Sequence, residues 1–78
     1  MREELKDNEL EMVAGGTVVV SNIGNIGFTS LGVKYRLQNV DWKTARNVAE
    51  DMYDQNIGMS DAEFDQLVLN TFMANGWI

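Results

Sequence analysis

The chain contains no cysteine, no histidine and no proline. Without cysteine there are no disulfides, thioether bridges or thiolate metal ligands to staple a small domain. Without histidine the usual general base and the commonest nitrogen ligand are missing. Neither a small hydrolase nor a metal centre is therefore expected, and no catalytic residue and no cofactor is assigned. Without proline, glycine is left as the main breaker of regular structure. Basic residues are also few: six Lys and Arg stand against twelve Asp and Glu, a formal net charge of −6. Arg2 and Lys6 against Glu3, Glu4, Asp7, Glu9 and Glu11 leave −3 in residues 1–16, and residues 17–78 carry the other −3. Phosphate backbones and anionic lipid repel such a chain on average. Nucleic acid is not an expected partner. No run is apolar and long enough to span a membrane. The first dozen residues are mostly charged and hold no apolar h-region, so export, if it occurs, is expected by a route other than a Sec-type signal.

What is present fits one domain. Seventy-eight residues lie near the lower limit for an independent hydrophobic core. In the opening stretch MREELKDNELEMVAGG, Leu5, Leu10 and Val13 recur at spacings of five and three, a loose helical stripe. Glu3 and Glu4 sit early, where a helix N-terminus favours negative charge, and Gly15 and Gly16 supply a stop. The expectation is a short amphipathic helix, too short to be stable alone. The plain explanation is a helix that packs on its own domain and ends at glycine.

The same residues match a more detailed pattern. They resemble the double-glycine, bacteriocin-type leader of peptides exported by ABC transporters that carry a peptidase domain. The resemblance implies cleavage after the second glycine, Gly16, before Thr17. Counting back from the cut, the family places an apolar residue fourth, here Val13. Leu stands seventh, here Leu10, and Glu eighth, here Glu9. An apolar residue stands twelfth, here Leu5. The eleventh place, often Ser in the family, is Lys6. On this resemblance residues 1–16 are a leader and residues 17–78 the mature cargo. The exporter's Cys-protease domain is the implied partner. Its narrow slot takes Gly15 and Gly16, which have no side chain to clash. A hydrophobic groove takes Leu5, Leu10 and Val13 in the helix-in-groove mode, beside Glu9. The motif covers about a fifth of the chain.

Beyond the glycines, strands are expected within about 17–38. Val18, Val19 and Val20 are β-branched and favour a strand. The repeat NIGNIG at 22–27 reads as a turn, because Asn and Gly both tolerate positive φ. It lacks the Gly-Lys-Ser/Thr ending of a phosphate-binding loop and the spacing of a dinucleotide fingerprint. Val33, Tyr35 and Leu37 alternate with Lys34, Arg36 and Gln38, a half-buried strand with a basic outer face. Such charges more often solvate a face than bind an anionic partner. Together these predict a β-hairpin-like segment, which must pack on something to be stable.

Helices are expected at about 42–56 and 61–75. Asp41 is a good N-cap, and Trp42, Ala45, Val48, Ala49, Met52 and Tyr53 form one helical face. Gly58 supplies a stop. Ser60 and Glu63 have capping-box spacing. Phe64, Leu67, Val68, Thr71 and Phe72 form the second inner stripe. Asn75 and Gly76 end it, leaving Trp77 and Ile78 to fold back. The pair is an αα-hairpin. The stretch from Asp54 to Asp65 has the length of a calcium loop but not its pattern. Gly58 falls at the fifth place, where an oxygen ligand is wanted. Met59 falls at the sixth, where Gly is needed, and Asp65 replaces the terminal bidentate Glu. A capped helix-loop-helix explains the same residues.

The expected fold is therefore a small single α+β domain: a short leader helix, a hairpin-like segment and a C-terminal αα-hairpin. The expected function is the precursor of a small secreted peptide or protein, bacteriocin-like or signalling. It is made in the bacterial cytoplasm and cleaved during export, and its extracellular target is unknown. Membrane-active peptides are usually cationic, so the acidic cargo suits a small folded protein at least as well as a pore former. The alternative is an intracellular protein–protein interaction module whose N-terminal helix packs on its own domain.

Overall fold

The computed structural model describes residues 9–78. Four short strands precede two helices: β1 Glu11–Gly15, β2 Val18–Ser21, β3 Asn25–Phe28, β4 Val33–Arg36, α1 Trp42–Gln55 and α2 Asp61–Ala74. The strands form one antiparallel sheet in the order β1-β2-β3-β4, a meander that needs only tight turns. Both helices cover one face. The expected α+β class, the two-helix end and the single domain are all present.

Alternation decides which side chains enter the core. Val18, Val20, Ile26 and Phe28 point to the helices and are fully buried. Ala45 and Ala49 of α1 and Phe64, Val68, Leu69 and Phe72 of α2 close on them. The short Ala side chains let α1 approach the β1–β2 half of the sheet closely. Leu37 is buried and Tyr35 half-buried, as the alternation after residue 32 predicts, but Val33 is exposed at the sheet edge.

Three expectations are corrected. Residues 11–15 of the predicted leader helix are strand β1, and Glu9 and Leu10 before it are not helical; residues 1–8, with Leu5, lie outside the described residues. Period-two burial wins there, with Ala14 inward and Val13 outward. The helical spacing of Leu10 and Val13 marks no buried face, since both are exposed. The segment at 17–38 has three strands, not two. Only the first half of NIGNIG is the turn, because its second half, from Asn25, starts β3, where Ile26 is wholly buried. Finally, the inner stripe of α2 includes Asp65 and Leu69, while Leu67 and Thr71 are only half-buried.

The helix limits fall within a residue of expectation. Asp41 accepts the Thr44 N–H at 3.4 Å, and this contact holds its carboxyl below the usual range. At α2 the capping box is complete. Ser60 Oγ accepts the Glu63 N–H at 3.2 Å, and Glu63 Oε1 accepts the Ser60 N–H at 3.2 Å. After Gly76 (φ +74) the chain turns back, and Trp77 packs edge-on against Phe72 with centroids 5.0 Å apart. The Trp77 carbonyl accepts the Gln38 N–H at 2.6 Å, tying the C-terminus to the segment after β4.

Asp65, considered above as a calcium ligand, is instead wholly buried beneath the sheet, while Asp54 is exposed. Its Oδ1 accepts the Thr17 hydroxyl at 2.7 Å, and its Oδ2 accepts the Ser30 N–H at 3.1 Å together with the Ser30 hydroxyl. One carboxylate thus joins α2 to the β1–β2 and β3–β4 turns. Those turns also bond to each other, because the Thr17 carbonyl accepts the Thr29 N–H at 3.1 Å and the Thr29 hydroxyl at 2.7 Å.

Because the capping box satisfies donors that α2 would otherwise leave open, Ser60→Ala is expected to lower stability by about 1 kcal/mol. Urea unfolding followed by Trp fluorescence measures this; an unchanged midpoint would show the cap to be dispensable.

Candidate processing site at the first hairpin

The residues of the double-glycine pattern that lie in the described region run along β1 into its turn. Leu10 precedes the strand and is locked to the β2–β3 turn. Its N–H donates to Asn22 Oδ1 at 2.8 Å, and its carbonyl accepts the Asn22 N–H at 3.1 Å. The Leu10 side chain is nevertheless 63% exposed, and that of Val13 is 65% exposed. Between them and the glycines, Ala14 is 1% exposed, pressed beneath the sheet. The register slips between Val13 and Gly15, a bulge that re-aims the strand as it enters the turn.

Both glycines are required by local geometry. A Cβ on Gly15 would lie 2.7 Å from Tyr53 Cβ and 3.2 Å from the Ala49 carbonyl oxygen. Gly16 has φ +53, and a Cβ there would lie 3.1 Å from Tyr53 Cε1. Glycine suits the first position of a two-residue hairpin turn for this reason. Tyr53 lies against the pair and is itself braced edge-on by Phe64, with centroids 5.3 Å apart. A shallow groove runs beside the glycines, bounded by residues 13–16 on one side and by Glu50, Asp51, Tyr53 and Asp54 of α1 on the other.

Glu9 sits at the opposite end of β1. Its Oε2 accepts from Asn25 Nδ2 at 3.3 Å and lies 3.8 Å from Lys34 Nζ. Hydrogen bonds from Ser21 and Asn25, with a smaller attraction from Lys34, outweigh partial burial and hold its carboxyl below the usual carboxylate range. Lys34 also reaches Glu11 Oε2 at 3.4 Å. Gly27 lies between Val19 and Lys34 in the pairing, so no side chain blocks that reach. The missing side chain leaves a hollow of about 320 Å³ on the outer face of the sheet, lined by Glu11, Val19, Asn25, Gly27, Val33 and Lys34 among others. Lys34, on the basic outer face of β4, therefore meets acids of the same chain.

Comparison of the chain with known protein families, with curated proteins and with solved structures finds no match. What bears on function is the geometry of the hairpin itself. The structure brings Glu9, Leu10, Val13, Gly15, Gly16 and Thr17 onto one continuous edge segment and turn; Leu5 lies outside the described residues. Sequence reasoning missed the third role of this region, the bond from Thr17 to Asp65. Asp65 follows Phe64 directly on the inner side of α2, but nothing local names a partner forty-eight residues away.

Two outcomes follow from this geometry. Gly15→Ala is expected to lower stability by about 1–3 kcal/mol, because its Cβ overlaps Tyr53. Val13→Thr, on the exposed side of the same strand, should change stability by less than about 0.5 kcal/mol. Equal effects in denaturant titrations would refute the packing. The Glu9 carboxyl is held low in the fold, so its contribution is present above its unfolded titration range and is lost as pH falls through the folded value. Glu9→Gln should flatten the acid limb of stability against pH; an unaltered limb would remove Glu9 from that role.

Proposed function

We propose that the chain is the precursor of a small exported protein, processed after Gly16 by the peptidase domain of an ABC exporter. One observation carries the proposal: Glu9, Leu10 and Val13 stand at leader spacing before Gly15 and Gly16, with the Leu10 and Val13 side chains exposed along the sheet edge. An edge strand has a single ladder to break, and leaving the sheet also withdraws Ala14 from the core and Gly15 from Tyr53. The exporter's groove would then take Leu10 and Val13, and the slot would take the two glycines. The cargo, residues 17–78, keeps β2, β3, β4 and both helices. It is acidic, and no helix among the described residues is long and apolar enough to cross a membrane. A folded secreted protein, bacteriocin-like or signalling, suits it better than a helical pore former.

A second reading has its own support. Ala14 is buried and Gly15 fits closely against Tyr53, as expected of a permanent strand in an intracellular interaction module. The glycines satisfy both readings, so substituting them separates nothing. The exposed side chains do separate them.

The test is to incubate the full chain with the peptidase domain of a matched double-glycine exporter and weigh the products. One cut after Gly16 is expected. Leu10→Ser and Val13→Ser should each slow it by about tenfold, the loss of one buried apolar side chain in the groove, with the unfolding midpoint nearly unchanged. An uncut chain beside a fully processed control leader would favour the interaction module.

A further inference from the structure

The cut proposed above falls beside a buried acid. Thr17, the residue that would become the new N-terminus, already donates its hydroxyl to the buried Asp65 Oδ1 at 2.7 Å. A carboxylate accepts about four hydrogen bonds. Among the described residues Asp65 receives three: one at Oδ1 from Thr17, and two at Oδ2 from Ser30. The acceptor position left open by the described residues is on Oδ1, the oxygen that faces Thr17. Among the described residues no Lys or Arg is paired with Asp65; the ion pairs of Lys34 are with Glu9 and Glu11. A wholly buried carboxylate lacking a cation is costly.

We propose that Asp65 is the acceptor for the ammonium group that processing creates at Thr17. The inference rests on the precursor reading. Hydrolysis breaks the bond between the Gly16 carbonyl carbon and the Thr17 nitrogen. Water supplies the oxygen of the new Gly16 carboxylate, and the Thr17 nitrogen becomes an amine that is protonated near neutral pH. That nitrogen is attached to the carbon next to the one bearing the hydroxyl, so a small rotation of the freed terminus brings it to Oδ1. The cut also releases the turn constraint at Gly16. The uncut chain holds a peptide N–H at this place, which carries no charge. The pair therefore distinguishes processed protein from precursor.

The experiment uses the full chain after cleavage by the exporter peptidase, with Thr17 labelled with 15N. The α-amine of Thr17 is expected to titrate about one pH unit above the ordinary range of about 7.7–8.0. Asp65→Asn should return it to that range. Should that variant fail to fold, Thr17→Val serves instead: it removes the hydroxyl, keeps the amine and should keep the raised titration. The pair is complete below the ordinary amine value and is lost as pH rises through the raised one. Processed protein should therefore lose stability in alkali where precursor does not. A cut chain whose Thr17 amine titrates normally overturns the Asp65 assignment alone. A chain that is never cut, beside a processed control, overturns the precursor reading and this inference with it.

Discussion

The buried carboxylate of Asp65 is the interaction on which the arrangement of layers depends. A four-stranded meander has no sequence-distant strand crossing to lock it, and its helices follow it in the chain. Apolar packing brings the layers together without fixing their orientation. The three hydrogen bonds to Asp65 fix it, because they come from two different turns at one end of the sheet. Hydrogen bonds to a charged group contribute about 1.5–3 kcal/mol each, and leaving the charge without them would be still more unfavourable. α2 is thereby held at one height beneath the sheet.

The first hairpin joins this anchor to the pattern that suggests export. Residues 11–15 pair with β2, and Gly15 and Gly16 pass beside Tyr53. Close approach in the fold and passage through a narrow protease slot ask for the same residue type, for the same steric reason. Glycine at these positions therefore serves both roles. The outward side chains of Leu10 and Val13 carry more information, since the fold makes little use of them.

The two helices were legible because capping and periodicity are local. Asp41, Ser60 and Glu63 mark their starts, and apolar residues at helical spacing mark their inner faces. β1 was not legible. Leu10 and Val13 mimic a helical stripe, while the residue that enters the core, Ala14, is small and gives little hydrophobic signal. The turn at 22–24 was legible from Asn and Gly, but its copy at 25–27 takes the opposite state because Ile26 is claimed by the core between Val20 and Tyr35.

The sequence by itself determined the α+β class, the helix limits, the acidic character and the leader-like spacing, since each depends on residue type and on neighbours a few positions away. Tertiary structure alone decided that residues 11–15 are a strand, that Gly15 lies against Tyr53, and that Thr17 meets Asp65. β1 pairs with its neighbour β2, but its buried Ala14 and its Gly15 face α1, and the Tyr53 and Asp65 contacts join segments far apart in the chain; the free energy of such a contact is set by the partner that arrives, which no local pattern specifies.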